Sequence, residues 1–437
     1  MGIQNFPAAL QPIIQQNFLE REFQEGLRSK LAYRAIADRE VFPAAIGETL
    51  TKTRRGLKAP VTTPLNSSGN TNLDNGLTPA GWAVEQYTLS VNMWGDTIDL
   101  NMVTSRVGIA RQFLKNALTN GIQAAQTVDR LARNALYSAY LGGNTRVTTT
   151  LGSAGPALHV DDITGFQYVF SNGVMVPVSS GSTLAVAVGA DSYTLIGAVA
   201  DVSNVSTAPN GVSGTLTFSS NVTTGDGTAG NAVQAGVAPA LLRPNARAST
   251  VALVGGDTLT MATVLDAVTQ LHNNNVPPVE ASGLYHMYLD PQQLRGLFND
   301  ADFKLLFRGE YNSAEYKTGT VIDLLGVRFI PTTEAPQQRL GGLNIRRGIV
   351  VGQGALVEGY YEATGYSDIG DSVGLKAMVD DVCMVTREPL DRLQQIIAQS
   401  WYYVGGFVVP TDVTATSAII PTASNSYYKR GVVIESL

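Results

Sequence analysis

Residues 44–85 cannot pack against themselves, and any fold open to this chain has to accommodate them. The stretch shows no sustained apolar periodicity. It carries Pro60, Pro64 and Pro79, a Ser-Ser-Gly-Asn-Thr-Asn run over 67–72, and positive charges at Lys52, Arg54, Arg55 and Lys58. A structureless loop of this length is uncommon inside a compact domain and is usually functional, disordered or a linker. Nothing around it resembles the flanks of a linker. Ahead of it stands only a helix-like arm over 11–35, where Ile14, Phe18, Phe23, Leu27 and Leu31 recur at roughly helical spacing. Gly26 weakens that helix by about 1 kcal/mol, so it depends on what it packs against. Arm and loop are therefore expected to be ordered by other copies of the chain, which makes the chain a subunit of an assembly.

The regular elements begin immediately after the loop. Tyr87, Leu89, Val91 and Met93 alternate with Thr88, Ser90 and Asn92, the period of a half-buried strand. A helix is expected over 105–140, with Leu114, Leu118, Ile122, Ala125, Val128, Ala132, Leu136 and Ala139 on one buried stripe and Gln112, Lys115, Gln123, Arg130 and Arg133 off it. At 1.5 Å per residue it makes a rod of roughly 50 Å, and Gly142-Gly143 ends it.

The composition then changes abruptly. Between Arg146 and Arg243 there is no Lys, Arg or Glu, and the charges are Asp161, Asp162, Asp191, Asp201 and Asp226. Short β-prone runs at 167–170, 174–178, 184–188, 193–198 and 214–218 alternate with turn residues. That spacing suggests a small all-β sandwich or barrel inserted over 144–239. Beyond it come an amphipathic helix at 260–272, a strand at 284–289, and Asp290-Pro291 as N-cap and first residue of a short helix. Further strands are expected within 320–331, 348–356, 379–387, 396–409 and 427–434. The fold class is α+β with an all-β insertion.

Composition narrows the function classes. Charged residues are 15% of the 437, well below the usual quarter. A surface covered by neighbours and a surface rich in Ser, Thr and Asn both fit that figure. The net charge of −6 argues against a broad basic face that grips nucleic acid. The single cysteine, Cys383, excludes an intrachain disulfide and sits in an apolar run where a buried, inert thiol is the expectation. No run approaches the roughly 18 apolar residues of a membrane span, and the N-terminus lacks the basic start and apolar core of a signal peptide. The expectation is a soluble chain made in a cytoplasm.

No catalytic, cofactor-binding or metal-binding set emerges. His159, His272 and His286 are far apart and none sits in a metal-binding pattern. Gly352-Gln-Gly354 lacks the third glycine of a dinucleotide loop, since Val357 stands there, and reads as a turn between strands. The 223–231 loop offers one carboxylate where calcium sites use several. A soluble α+β enzyme is disfavoured for lack of clustered acids, bases or nucleophiles.

The order of arm, long basic loop, return strand, long helix, α+β region and terminal strands resembles the major capsid protein of tailed double-stranded DNA phages, the Hong Kong-type capsid fold. The same resemblance is carried by 87–100 leading into the long helix, by Leu284-Tyr-His-Met-Tyr-Leu-Asp-Pro-Gln-Gln-Leu-Arg295, and by Gly319-Thr-Val-Ile-Asp-Leu-Leu-Gly-Val-Arg-Phe-Ile-Pro331. Arg387-Glu-Pro-Leu390 leading to Trp401-Tyr-Tyr-Val404 completes it. The resemblance implies an N-terminal arm over 1–43, an extended loop and return strand over 44–100 and the spine helix of a peripheral domain over 101–143. The inserted β domain over 144–239 would be followed by an axial domain with connecting strands over 240–390 and peripheral-domain strands over 391–437. It implies hexamers and pentamers of this chain in an icosahedral head enclosing double-stranded DNA without sequence-specific binding, in a virion assembled in the host cytoplasm. The implied partners are a separate scaffolding protein, since no acidic helical extension is present, and a portal. A decoration or cement protein is a further candidate; a membrane is not. Lys52, Arg54, Arg55 and Lys58 become candidates for an intersubunit contact, against a solvated charge cluster or DNA binding as the other readings. An encapsulin-like compartment holding cargo proteins is the alternative function, disfavoured by the large β insertion.

Overall fold

The computed structural model describes residues 10, 18–28, 32–42, 49–55, 84–101, 109–171, 174–201, 206, 208–209, 211–236, 238–307, 323–361, 376–387, 392–393, 395–410 and 429–437. The chain divides into two compact units, the first formed by 1–51, 88–135 and 356–409, the second by 52–87, 136–355 and 410–437.

The first unit is a sheet covered by two helices. Strand Ile396–Val408 is its hub. In sheet order the strands are Asp38–Phe42, Val357–Tyr361, Ile396–Val408, Val382–Arg387 and Lys376–Val379, and Asn92–Asn101 also pairs with the hub. The hub alternates strictly over Ile397, Gln399, Trp401 and Tyr403, all buried, with half-buried neighbours between them. One face therefore receives the helices, as the period of two requires. Phe113, Ala117, Ala124, Ala125 and Val128 from the long helix Ile109–Leu141 pack there with Leu19, Phe23 and Leu27 of the arm helix Phe18–Arg28.

The buried face of the long helix is not the purely apolar stripe read from the sequence. Ala125, Val128, Ala132 and Leu136 are buried, but Leu114, Leu118, Ile122 and Ala139 are only half-buried. In their place the buried face takes in Phe113 and three polar residues, Asn116, Asn120 and Asp129. A stripe drawn through apolar residues alone drifts off the true face, because Asn120 and Asp129 bond to groups outside the helix, the Gln399 carbonyl and the amides of residues 32–34, which hydropathy does not register. Gly26 is likewise more than a weak point. A Cβ there would lie 2.6 Å from the Leu118 carbonyl oxygen, and one on Gly121 would run into the Phe23 carbonyl oxygen. The two glycines let the helices cross backbone to backbone.

Within the expected loop, Thr49–Arg55 pairs with Val84–Ser90 as a two-stranded ribbon. Thr49, Thr51 and Thr53 supply β-branched strand propensity without apolar character, which is why the segment reads as loop by hydropathy. Residues 56–83, and Lys58 with them, lie outside the described residues.

The second unit contains a seven-stranded sheet in the order Leu241–Leu242, Gly431–Ser436, Leu343–Val351, Tyr285–Leu289, Val327–Pro331 and Asp323–Leu324, with Gln337–Leu340 also pairing with Leu343–Val351. Helices Met261–Asn273 and Pro291–Asn299 share its core through Val264, Leu271, Leu294 and Leu297. The start signal at Asp290-Pro291 takes the expected form: Asp290 caps the helix and completes a capping box with Gln293.

The inserted region forms its own sheet, with Asn144–Arg146, Ala232–Ala235, Leu184–Val188, Asp191–Ala200, Gly214–Val222 and Gly155–Val160 as successive neighbours. The sheet closes on itself. Val147 bridges Val160 in antiparallel fashion, Thr148 N donates to His159 O at 3.0 Å, and Asp161 N donates to Arg146 O at 3.2 Å. Of the two architectures left open by the sequence, it is therefore an antiparallel barrel, and closure removes the open sheet edges. Leu158, Val186, Leu195, Leu216, Phe218 and Val233 fill it. Entry and exit are held together, Ala235 N donating to Gly143 O at 2.8 Å and Asn144 Nδ2 to Pro239 O at 3.0 Å.

Candidate assembly site and buried ion clusters

The four basic candidates divide by position. Lys52, Arg54 and Arg55 lie on the ribbon strand Thr49–Arg55, with Lys52 half-buried. Asn92–Asn101, the strand that follows the ribbon, has its first six residues exposed, Met93 at 69%. On the ribbon strand Thr49, Thr51 and Thr53 are exposed and Leu50 and Lys52 half-buried, while on its partner Leu89 is buried.

The residues weighed for chemistry stay apart and are occupied otherwise. His159 shares a hydrogen bond with Thr215 Oγ1 at 3.0 Å, the His272 ring packs 5.6 Å from that of Tyr285, and His286 Nε2 lies 2.8 Å from Glu280 Oε1. Cys383 is buried, and burial raises the pKa of its thiol, the opposite of what a nucleophile needs. Gly354, in a turn between strands, has φ 72°. In the 223–231 loop the Asp226 carboxylate accepts from Tyr193 Oη at 2.7 Å, Thr223 Oγ1 at 2.8 Å and Ala190 N at 3.3 Å, so its lone pairs are spent on the barrel. Among the described residues no group of three or more His, Cys, Asp or Glu could hold a metal, and no helix is long and apolar enough to cross a membrane.

The polar chemistry that the sequence hid is structural. In the first unit the carboxylate of Glu358, wholly buried, accepts from Arg34 Nη2 at 2.7 Å, Arg34 Nε at 2.9 Å and Tyr403 Oη at 2.8 Å. Arg34 also donates to Asp380 O at 3.0 Å and to Asp381 Oδ2 at 3.1 Å, and Arg39 joins Asp381. Burial alone would lower the Arg34 pKa, but the hydrogen bond and charge of Glu358 raise it. Burial, and then the charge of Glu358, hold the Tyr403 phenol well above its ordinary value. Asp380 and Asp381 turn the hairpin with φ of 47° and 68°, a strained geometry for non-glycine residues that the two arginines hold in place. From the long helix, Asp129 Oδ1 accepts the backbone N–H groups of Ala32, Tyr33 and Arg34 at 2.9, 2.7 and 3.2 Å. The residues joining the arm to its strand are thus clamped from two sides.

A second cluster lies in the second unit. Glu435 Oε1 accepts from Arg347 Nε at 2.8 Å, and its Oε2 accepts from Arg243 Nε at 2.7 Å and Thr250 Oγ1 at 3.0 Å. Burial pushes this carboxyl up, but the charges of Arg347 and Arg243 outweigh it and bring the pKa down to about 2. A folded-state pKa below the unfolded one, about 4.3, gives stability that is fully present above the unfolded value and lost as pH falls through the folded one. Thermal unfolding of the subunit should therefore lose roughly 3 kcal/mol from this group between about pH 4.5 and pH 2. Glu435→Gln, already destabilised at pH 6, should lose that part of the acid dependence. Unchanged acid dependence in the variant would show that Glu435 is not its source.

These clusters could not be found by spacing. Arg34 and Glu358 are 324 residues apart, and Arg347 and Glu435 are 88 apart. The one signal available was a charge inside an apolar run, as in Val432-Val-Ile-Glu-Ser436.

No protein-family model matches the chain. No curated protein matches it either. Solved structures of low similarity do. The capsid structure of the cyanophage P-SCSP1u is 11% identical, with 94% of this chain and 89% of that chain covered at a TM-score of 0.49. The capsid of Ralstonia phage GP4 is 12% identical, with 94% and 92% covered and a TM-score of 0.48. The acidic stable capsid structure of Helicobacter pylori bacteriophage KHP30 is 11% identical, with 93% and 91% covered and a TM-score of 0.46. Likeness this remote leaves function to be argued from the chain's own geometry. The fold itself is α+β with an inserted all-β barrel.

Proposed function

We propose that this chain is the major capsid protein of a tailed phage, a structural subunit that assembles as hexamers and pentamers into an icosahedral head around double-stranded DNA. The observation that carries the reading is the ribbon Thr49–Arg55 with Val84–Ser90. The base of the ribbon packs on its own chain, Leu50 and Leu89 with Val357, Val404 and Val408. Farther out it is a lone pair of strands, marginally stable at best in water, that bears Lys52, Arg54 and Arg55. The next strand has its first six residues exposed. Both features make sense when a neighbouring copy covers them. In this reading 1–43 is the arm, 44–100 the extended loop and return strand, 101–143 the spine helix, 144–239 a separately folding insertion, 240–390 the axial part and 391–437 the closing strands. A scaffolding protein and a portal act with it in the host cytoplasm, and the mature protein resides in the virion.

The test is the double variant Arg54→Glu with Arg55→Glu, alongside removal of residues 64–79. Each exposed ion pair is worth about 0–1 kcal/mol, but every copy in a shell repeats it. Both variants should keep the circular dichroism of the soluble subunit and lose most of the fast-sedimenting particles. Normal particle yield from both would remove the ribbon as an assembly element. The ratio of absorbance at 260 and 280 nm in wild-type particles separates enclosed DNA from protein cargo.

A further inference from the structure

We infer that the inserted barrel is latched to the seven-stranded sheet by ions rather than by a shared core, and that acid opens the latch while both cores stay folded. The buried apolar residues of the barrel form one cluster and those of the sheet another. Where the two parts meet, six charged side chains ring a cavity of about 40 Å³. Arg146, Asp161 and Asp162 come from the barrel, and Arg243, Arg347 and Glu435 from the sheet side. None is more than 13% exposed. Arg146 Nη2 lies 3.1 Å from Asp161 Oδ2, while Arg347 Nη2 and Arg243 Nε each lie 2.7 Å from a Glu435 oxygen. Asp162 Oδ1 accepts from Thr164 N at 2.9 Å and Val212 N at 3.0 Å. Beside the ring, a second cavity of about 440 Å³ is lined by Arg146, Asp161 and His159 of the barrel and by Val251 beyond it. Parts of one chain move relative to each other unless their interface is large and apolar. This one is charged and imperfectly filled.

At neutral pH three guanidinium groups and three carboxylates balance around the ring. Acid shifts that balance in one direction, because the arginines keep their protons. Burial raises the Asp162 pKa, so its protonation comes early and relieves a buried charge; it opens nothing. Burial also works against the Glu435 charge, but Arg347 and Arg243 hold it ionised down to about pH 2. Its protonation there leaves two buried guanidinium groups without their counter-ion, the strongly destabilising way to break a buried pair. With Asp161 and Asp162 neutral as well, three positive charges face one cavity. Water reaches them at least cost when barrel and sheet part, since neither apolar cluster has to open.

The test is proteolysis of the full chain, read by mass spectrometry at Tyr140–Leu141 and Leu241–Leu242, which flank the barrel. Going from about pH 4 to about pH 1.5 should raise pepsin cleavage there about tenfold relative to the rest of the second unit, because cleavage follows the population of the opened state. The barrel should survive as one resistant fragment. Cleavage spread evenly through both cores, or none at the junction, would overturn the inference. At pH 7, Glu435→Gln removes the charge without acid and should raise chymotrypsin cleavage at the same junction about tenfold; the wild-type rate would overturn it. Replacing the triad by Arg243→Met, Arg347→Met and Glu435→Leu should keep the junction closed in acid, since apolar replacement of buried ions often leaves stability intact. Acid cleavage equal to that of wild type would show that ions are not the latch. Should the triple variant lack native circular dichroism at pH 7, the Glu435→Gln comparison decides alone.

Discussion

Replacing Glu358 with alanine is expected to destabilise the first unit by about 3–5 kcal/mol, the cost of leaving a buried ion without its partner. Glu358 is 0% exposed and Arg34 9% exposed. Without the carboxylate, Arg34 keeps Asp381, the Asp380 carbonyl and its place over the Tyr403 ring, and the Tyr403 hydroxyl loses its acceptor. The strained turn at Asp380 and Asp381 would then be held by one poorly solvated guanidinium and one exposed one. Arg39→Ala is the control: its side chain is 46% exposed, so the loss should stay within about 1 kcal/mol. Urea unfolding of the soluble subunit, followed by near-ultraviolet circular dichroism, measures both. A Glu358→Ala loss no larger than that of Arg39→Ala would mean that the cluster contributes nothing beyond a surface pair.

Gly121→Val is expected to undock the arm helix. A Cβ at this position meets the Phe23 carbonyl oxygen, which is backbone and cannot swing away. The helices must separate, exposing part of Leu19, Phe23 and Leu27, each worth about 1.5–3 kcal/mol when fully buried. Valine's slightly better helix propensity than glycine's, well under 1 kcal/mol, does not offset that. Limited proteolysis should cut the variant within 18–28 while the rest of the subunit survives. Gly152→Ala, with nothing within 4 Å of its new methyl, should behave as wild type. Equal protease resistance in the two variants would show that the helices do not cross at Gly26 and Gly121.

Both predictions fall on residues whose importance no local pattern reveals. Gly26 reads as a defect in a helix until its neighbour is known to be Gly121. Nothing in the residues around Asp129 points to the amides of residues 32–34 that its carboxylate accepts. The basic cluster at Lys52, Arg54 and Arg55 was legible because charge density and proline spacing are properties of the chain itself. The strand that carries it was not, because threonine gives a strand its backbone preference without an apolar face.

What the amino-acid order determined by itself is whatever depends on neighbours a few residues away. The long helix ending at Gly142-Gly143, the cap at Asp290-Pro291 and the strand pattern between Leu184 and Phe218 belong here, with capping, propensity and periodicity as the causes. The α+β class and the inserted β region follow from those elements in sequence. Only the tertiary structure decided that the insertion closes into a barrel through Val147 and Val160, which face of the long helix is buried, and which charges are paired inside. Those outcomes rest on contacts between residues tens to hundreds of positions apart. Their free energy comes from desolvation and close packing at the meeting point, which neither partner's local sequence encodes.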